Sequence, residues 1–198
     1  MKPILKVNDI FCSIQGEGGR AGEASIFIRL SGCNLQCPFC DTEFNSGQEM
    51  EVQEIIHEIN AYSPCKWIVW TGGEPCLQLT EEIIKMFYLA GYKQAIETNG
   101  TLPISKGFDY ISVSPKSNLQ IVGKVDELRF LFKKGVKVPF INLDTPEATN
   151  YYLSPVFDGE ENEKLTLNMD NVNACVEYIK CHPQWKLSIQ LHKLLKIK

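Results

Sequence analysis

The sequence predicts an α/β protein built as an incomplete, thinned parallel β/α barrel of about six strands. Short apolar segments typical of buried strands alternate with segments of helical spacing, and polar or glycine-rich residues follow the strands where each of them ends. A complete barrel typically needs ~250 residues, whereas this chain has 198. We therefore expect one domain, residues 1–198, whose barrel lacks part of the usual set of strands and helices.

Three strands and one helix are predicted in the first part of the chain. Residues 4–11 and 25–30 are rich in isoleucine and phenylalanine, and the second segment leads directly into a cysteine-rich loop. Residues 66–70 form a continuous apolar run, as expected for a strand buried on both faces of a parallel sheet. Apolar residues recur at helical spacing between Glu49 and Tyr62, which predicts a crossover helix.

The second part of the chain continues the alternation. Thr80 is a candidate N-cap for a helix that reaches Ala90, with Gly91 as its stop signal. Further strands are predicted at residues 93–97, 110–113, 127–132, 151–156 and 186–190, together with a helix at about 171–181. No helix of normal length fits between the strands around residues 113 and 127 or around 132 and 151, so some crossovers should be loops.

Composition narrows the classes of function. The hydrophobic content of 44% and the charged content of 22% are typical of a soluble globular protein. A net charge of -4 argues against nucleic-acid binding through a basic face. No segment approaches the ~20 apolar residues of a membrane span, and the N-terminus lacks the apolar run of a signal peptide. We expect a cytoplasmic protein without nucleic-acid or membrane partners.

Three of the eight cysteines, Cys33, Cys37 and Cys40, lie within one short loop. In a reducing compartment such a cluster is more typical of a metal site than of disulfides. Structural zinc normally takes four protein ligands, whereas three thiolates on a four-iron cluster leave one iron open for chemistry. We therefore interpret the loop as catalytic. The alternative is a structural zinc loop with its fourth ligand elsewhere in the chain: Cys65, Cys76 or His57.

The cysteine spacing, with Phe39 just before the last cysteine, resembles the signature of radical S-adenosylmethionine enzymes. The Gly72-Gly73-Glu74-Pro75 segment is similar to the strand end that borders the methionine part of S-adenosylmethionine in that superfamily. The resemblance implies a 4Fe-4S cluster on Cys33, Cys37 and Cys40, with S-adenosylmethionine on the open iron. It also implies cleavage of S-adenosylmethionine to a 5'-deoxyadenosyl radical, and a reducing electron donor such as flavodoxin.

Within that superfamily the chain most closely resembles, nearly from end to end, the family of 7-carboxy-7-deazaguanine synthases. The resemblance is carried by five segments: Ile14 to Gly18 with Arg29, Cys40-Asp41-Thr42, Thr71 to Pro75, Ser114-Pro115-Lys116, and Gln190 to Lys193. Such enzymes convert 6-carboxy-5,6,7,8-tetrahydropterin into 7-carboxy-7-deazaguanine with loss of ammonia, in the biosynthesis of queuosine and related 7-deazapurines. They are homodimeric lyases that also use magnesium.

The resemblance implies a role for individual residues. The pterin substrate would be held by Ile14, Gln15, Gly16, Arg29, Thr71, His192 and Lys198, with Arg29 on its carboxylate. S-Adenosylmethionine would be bordered by Phe39, Cys40, Asp41, Gly73, Ser114, Pro115, Lys116, Ser154, Pro155, Val156 and Phe157. Thr42 would be the magnesium ligand. The family tends to have a glutamine where this chain has Ser154.

Two other functions share part of this pattern. A glycyl-radical enzyme activase also has the three-cysteine loop but acts on a protein, and a non-enzymatic metal-binding module would need only the thiols. The residues around Gln15 together with the Cys40-Asp41-Thr42 segment favour the synthase. Three acids, Glu17, Glu74 and Glu97, are candidates for proton transfer and equally for structural hydrogen bonding.

Overall fold

The structure is a computed structural model that describes residues 2–37, 45–116, 123–136, 147–159 and 166–198. Its strands are β1 (Ile4–Ile14), β2 (Ala24–Leu30), β3 (Gln48–Glu51), β4 (Trp67–Gly72), β5 (Lys93–Thr98), β6 (Tyr110–Val113), β7 (Lys124–Phe132), β8 (Glu147–Pro155) and β9 (Trp185–Leu187). Its helices are α1 (Val52–Ile59), α2 (Glu81–Leu89), α3 (Met169–Cys181) and α4 (Leu191–Leu195).

The strands form one nine-stranded sheet in the order β3-β1-β2-β4-β5-β6-β7-β8-β9. All neighbours from β2 to β9 pair in parallel, whereas β1 pairs antiparallel with both β2 and β3. The outermost strands β3 and β9 do not pair with each other, so the barrel stays open. The predicted incomplete parallel β/α barrel is thereby confirmed, with the antiparallel strands β1 and β3 at one edge.

Several element boundaries differ from the sequence prediction: β1 ends at Ile14 rather than residue 11, and β7 and β8 begin at Lys124 and Glu147 rather than residues 127 and 151. The helix predicted from Glu49 begins at Val52, because Gln48–Glu51 pairs with β1 and the Glu51 and Glu54 side chains form a capping box at the helix start. The last strand ends at Leu187 rather than near Gln190. Beyond it, the Ser188 hydroxyl accepts a hydrogen bond from the Gly18 amide, so the chain leaves the sheet and turns inward.

The predicted second helix is confirmed at both ends. The hydroxyl of Thr80 accepts a hydrogen bond from the Ile83 amide at 3.3 Å, as an N-cap residue does. Gly91, just beyond the helix, has a φ of 86°, which is a conformation that glycine adopts without strain. Local capping chemistry therefore fixes the length of α2.

The outer face of the sheet carries the apolar core. Branched side chains of β1, β2, β4 and β5 pack against α1 and α2, and Trp70 lies at the centre of this cluster with none of its surface exposed. The Trp70 indole donates to the Gln94 side chain at 3.0 Å and meets the Phe87 ring edge-on at 4.8 Å between centroids. A second apolar cluster lies between β7, β8 and α3.

The inner face of the sheet combines a small apolar cluster around Phe11 and Phe27 with charged and hydroxyl side chains. Successive side chains of a strand point to opposite faces, so the residues that alternate with the core on the inner strands face the barrel lumen. The strand register places Arg29 opposite Thr71, Glu97 opposite Ser112, and Ser112 opposite Glu127. Charged and hydroxyl side chains from neighbouring strands therefore meet inside the barrel.

None of the helices in the described part of the chain is long and apolar enough to cross a membrane.

We predict that Trp70→Ala lowers the free energy of unfolding by about 3–5 kcal/mol, because it empties a fully buried site and leaves the side-chain oxygen of Gln94 without its donor. The exposed Leu89→Ala is the matched control and should change stability by no more than about 0.5 kcal/mol. Urea unfolding followed by circular dichroism measures both. Equal stability of the two variants would contradict this account of the core.

Candidate active site

A cavity of about 60 Å³ lies in the lumen, between the end of β1, the strand β5 and the C-terminal segment. Its lining consists of Phe11, Ile14, Gln15, Gly16, Glu17, Phe27, Glu97, His192 and Lys198. Five of the residues that the sequence assigned to substrate are in this wall, although they come from opposite ends of the chain. The structure thus gathers most of that set at one place.

The chain reaches the cavity from β1 through a tight loop. The Gln15 amide donates to the Glu23 carbonyl at 2.8 Å, and the Gly22 amide donates back to the Gln15 carbonyl at 2.8 Å. Next to it, the Gly16 carbonyl accepts from the Leu191 amide at 3.0 Å. A Cβ atom at Gly16 would overlap the ring of His192, so only glycine permits this close approach of the C-terminal segment.

The other two residues assigned to substrate, Arg29 and Thr71, border the cavity without lining it. The Thr71 hydroxyl donates to the Glu97 carboxylate at 3.1 Å. The guanidinium carbon of Arg29 lies 5.5 Å from the centre of the Phe11 ring, and that ring stacks on Phe27 inside the wall. A cation is therefore held at the aromatic side of the cavity.

The C-terminus closes the cavity on its outer side. The Lys198 ammonium lies 2.7 Å from the Asp9 carboxylate of β1 and 4.8 Å from the centre of the Phe11 ring. The Lys198 side chain is 64% exposed, so this ion pair is a surface interaction of small energetic weight. The C-terminal segment is attached here by contacts that solvent can replace.

Glu97 is the most heavily hydrogen-bonded acid of the cavity wall. Its carboxylate accepts from the side-chain amide of Gln15 at 3.0 Å, from the Thr71 hydroxyl, and from the Arg129 guanidinium at 2.9 Å. Burial alone would raise the pKa of the Glu97 carboxyl, but the charge and hydrogen bonds of these partners, above all Arg129, lower it below its usual value. Glu97 is therefore a carboxylate at neutral pH.

Arg129 is a cation buried in the lumen, with 6% of its surface exposed. Its guanidinium faces three carboxylates, those of Glu97 at 2.9 Å, Glu17 at 3.7 Å and Glu127 at 3.9 Å. Burial alone would lower the pKa of Arg129, but these three acids raise it above its usual value. Each acid also accepts hydrogen bonds from neutral groups, which satisfy oxygens that the guanidinium does not reach.

Those neutral groups come from several elements. Glu17 accepts from the Ser154 hydroxyl at 2.7 Å and from the Gln190 amide at 3.2 Å. Glu127 accepts from the Gly19 amide, the Tyr110 hydroxyl and the Ser112 hydroxyl at 2.8, 2.9 and 2.7 Å. Burial and the charge of Glu127 raise the pKa of Tyr110, so that phenol remains a hydrogen-bond donor.

The glycine-rich segment after β4 packs against the entry to the cysteine loop. The Gly73 amide donates to the Leu30 carbonyl, and the Glu74 amide donates to the Gly32 carbonyl, both at 2.9 Å. A Cβ atom at Gly73 would overlap the Gly32 carbonyl group. Glycine is required here for two strand ends to meet, which places the predicted cofactor edge directly beside Cys33.

The Glu74 side chain joins the ends of β4 and β5 through hydrogen bonds. It is completely buried and accepts from the Cys76 amide, the Thr98 hydroxyl and the Asn99 amide at 3.0, 2.8 and 2.8 Å. These bonds tie the end of β4 to the end of β5. Of the three acids considered from the sequence, Glu74 is thus a structural hydrogen-bond partner.

Two of the three clustered thiols, Cys33 and Cys37, are half-buried just beyond β2. Between them, the Asn34 amide donates to the Thr101 hydroxyl at 2.7 Å and its carbonyl accepts from Asn99 at 3.1 Å. The loop is therefore anchored to the end of β5. Soft thiol donors on an anchored loop fit an iron–sulfur cluster. Phe39, Cys40, Asp41 and Thr42 lie outside the described residues.

The residues considered as a fourth zinc ligand are poorly placed for that role. Cys65 precedes β4 and so lies at the opposite end of that strand from Gly72. Burial, followed by the neighbouring Glu74 charge, raises the pKa of the Cys76 thiol to about 12, which disfavours the thiolate that zinc needs. His57 is exposed on α1. The geometry gives no support to a closed zinc site in this part of the chain.

Most other residues assigned to S-adenosylmethionine follow the ends of β6 and β8. The Ser114 amide donates to the Thr98 carbonyl at 2.8 Å, and the Lys116 ammonium donates to the Ser114 hydroxyl at 3.0 Å, with Pro115 between them. Pro155 ends β8, the Val156 amide donates to the Phe132 carbonyl at 2.9 Å, and Phe157 is buried.

Ser154 occupies a different position. Its hydroxyl is fully buried and donates to Glu17, so its described contact is with the acid cluster of the lumen.

Arg129 was not identified from the sequence as a residue of the site. The available signal is the spacing of Glu127 and Arg129, two charged residues two positions apart in an otherwise buried strand, which places both on one face. Charges on the inner face of a predicted barrel strand indicate a polar lumen.

Sequence comparison first defines the class. The family model of the Radical SAM superfamily matches residues 27–156, from β2 past the end of β8. This range includes the cysteine loop, the glycine-rich segment after β4 and most strands of the open barrel. The parallel half-barrel with thiols beyond its first parallel strand is thus a radical SAM domain.

Curated relatives define the family more closely. A 7-carboxy-7-deazaguanine synthase of Bacteroides thetaiotaomicron is 36% identical over 194 residues, which is 98% of each chain. The Haemophilus influenzae 7-carboxy-7-deazaguanine synthase is 36% identical over 208 residues, covering 99% of this chain and 95% of the relative. The chain belongs to the family of 7-carboxy-7-deazaguanine synthases within the Radical SAM superfamily.

The fold has a counterpart among solved structures. The crystal structure of QueE from Escherichia coli superimposes with a TM-score of 0.72 over 96% of this chain and 95% of that one. The two sequences are 22% identical, so this likeness concerns the fold.

We predict that Glu97→Gln is less stable than the parent at pH 7 and that the difference narrows as the pH falls below 4.5, the usual glutamate value. A carboxylate whose pKa is lower in the folded than in the unfolded protein stabilises the fold above its unfolded pKa. This stabilisation is lost as the pH falls through the folded pKa. Urea unfolding at pH 7, 5 and 4 measures it, with the exposed Glu58→Gln as control. A difference that is constant or grows on acidification would contradict the assignment.

Proposed function

We propose that this protein is a lyase that converts 6-carboxy-5,6,7,8-tetrahydropterin into 7-carboxy-7-deazaguanine with loss of ammonia. The reaction belongs to the biosynthesis of queuosine and related 7-deazapurines. The observation that carries the proposal is the luminal cavity, where Ile14, Gln15, Gly16, His192 and Lys198 meet. Membership of the synthase family over nearly the whole chain supports the choice of substrate.

The cavity offers both kinds of group that a carboxylated pterin needs. The Gln15 amide and the Gly16 backbone would face the ring system, while the Arg29 fork beside Phe11 would bind the carboxylate. Thr71 would act through its hydrogen bond to Glu97. Ligand pockets usually measure ≈ 300–1,000 Å³, so the cavity of about 60 Å³ must widen on binding. The exposed Lys198–Asp9 pair is a contact of its wall that solvent can replace.

The described residues proposed for the cofactors follow the ends of parallel strands. Cys33, Cys37 and Cys40 would hold a 4Fe-4S cluster, and Gly73 would border the methionine part of S-adenosylmethionine. Phe39, Asp41, Ser114, Pro115, Lys116 and residues 154–157 would complete that site. When bound, the cluster and S-adenosylmethionine supply the radical chemistry of the reaction.

The protein's own part is positioning and shielding. The apolar walls Phe11 and Phe27 exclude water from one side of the cavity, and the hydrogen-bonded acids fix its polar side. Thr42 would be the protein ligand of a magnesium ion, which commonly keeps several waters and takes oxygens from its substrate.

The protein would also depend on an electron donor, a cellular compartment and a partner subunit. A reducing electron donor such as flavodoxin would supply electrons, and the enzyme would work in the cytoplasm, where thiols stay reduced. A homodimer is proposed, with the exposed apolar residues Leu194, Leu195 and Ile197 near the C-terminus as candidates for its interface.

The proposal predicts a specific product. After anaerobic reconstitution with iron and sulfide, the protein should form 7-carboxy-7-deazaguanine from reductant, S-adenosylmethionine, magnesium and 6-carboxytetrahydropterin, as measured by mass spectrometry. Cys37→Ala should lose the cluster absorbance and all turnover. Formation of 5'-deoxyadenosine without the deazaguanine product would reject the substrate, and activation of a glycyl-radical protein would favour the activase.

Arg29 separates substrate binding from cofactor cleavage in the same assay. We expect Arg29→Ala to raise KM for the pterin by about tenfold or more while S-adenosylmethionine cleavage is partly retained, because a charge-assisted bidentate contact is lost. Arg29→Lys keeps the charge without the fork, so its KM for the pterin should lie between those of the parent and of Arg29→Ala. An unchanged KM in Arg29→Ala would remove the residue from the substrate site.

A further inference from the structure

Two acids of the cavity wall share one buried partner. Glu17 and Glu97 both line the cavity, and both contact the guanidinium of Arg129, which lies behind the wall and does not line it. Glu17 comes from the loop after β1 and Glu97 from β5, whereas Arg129 lies on β7. A single side chain thus connects the two polar sides of the cavity.

The contacts of Arg129 fix the direction of each acid. One terminal nitrogen, Nη2, donates to Glu97 at 2.9 Å and to the Ser112 hydroxyl at 3.1 Å. The other, Nη1, lies 3.7 Å from Glu17 and makes no hydrogen bond within the described part of the chain. The planar guanidinium cannot turn toward one acid without leaving another.

Among the residues that the structure describes, Arg129 is the cation that contacts all three acids. Glu97 is also faced by Gln15 and Thr71, and across the cavity wall by His192 and Lys198. Glu127, the third acid, is faced by the phenols Tyr110 and Tyr152. Asp126 is the next acid along β7, and its carboxylate accepts from the Ile111 amide.

We propose that Arg129 is a positioning residue for the proposed reaction: it holds the carboxyl groups of Glu17 and Glu97 aimed at the cavity, without touching the substrate. An ionised carboxylate is only an acceptor of hydrogen bonds, whereas a protonated one also donates. The cavity therefore presents fixed acceptors to the N–H groups of a pterin ring. This inference rests on the proposed function for its link to the reaction.

The test measures the protonation of Glu97 directly in the cluster-reconstituted protein under anaerobic conditions. Glutamate labelled with carbon-13 at its carboxyl group gives a resonance that moves when the group binds a proton. Glu97→Gln, which lacks that resonance, assigns the signal. The titration requires no substrate, so it does not depend on the identity of the reaction.

We expect Arg129→Gln to increase the proton affinity of Glu97 about tenfold or more, because burial is then no longer opposed by a cation. The acid limb of kcat/KM for the pterin should move to higher pH by the same amount. Arg129→Lys should give a smaller change. Arg20→Gln is the matched control, because Arg20 is equally buried but pairs with Glu23 and Ser25 instead, and it should leave the Glu97 titration unchanged.

A folded Arg129→Gln protein with the parent's Glu97 titration overturns the inference, even if its thermal stability is lower. Should that variant fail to fold, Arg129→Gln combined with Glu127→Gln removes one acid together with the cation. We expect the same increase in the proton affinity of Glu97 in this double variant, and an unchanged Glu97 titration overturns the inference there too. Absence of pterin turnover in the parent rejects the proposed function, and with it the link to the reaction, whatever the titration shows. Turnover by the parent with an unmoved Glu97 rejects the Arg129 role alone.

Discussion

The interior of this barrel depends on the ion pair between Arg129 and Glu97 at 2.9 Å. Removing either partner leaves the other charge poorly compensated in the lumen, which lowers the stability of the fold. The pair lets strands with an apolar outer face carry charged groups on their inner face. That division is what allows 198 residues to provide both a core and a site.

The pair also connects the distant parts of the chain. Glu97 holds Gln15, and through Gln15 the loop between β1 and β2, while Arg129 adds Glu17 from the same loop. Glu17 in turn accepts from Gln190, just before the C-terminal helix. The cavity wall is consequently built by residues that are remote in sequence and are brought together by one buried charge cluster.

Much of the fold follows from local sequence signals. The apolar run around Trp70 and the cap at Thr80 specify elements by nearest-neighbour chemistry, and both are found where they are expected. The strand β3 was not predicted, because its residues resemble a helix start and form a strand only by pairing with β1. Tertiary pairing here overrides a local preference.

The site, like the fold, includes residues that local sequence signals do not reveal. Motif resemblance indicated Gln15, Gly16 and His192, which meet in the cavity. It did not indicate Arg129, because its function arises from Glu17 and Glu97 on other elements, and pairing across the lumen is set by strand register rather than by local sequence.

A crystal structure of the reconstituted protein with S-adenosylmethionine and 6-carboxytetrahydropterin would test this account most directly. We expect the pterin in the widened luminal cavity, between Gln15 and the cysteine loop, with Arg29 on its carboxylate and the Glu97–Arg129 pair intact. A pterin bound outside the lumen, or a Glu97 turned away from Arg129 in the complex, would contradict it.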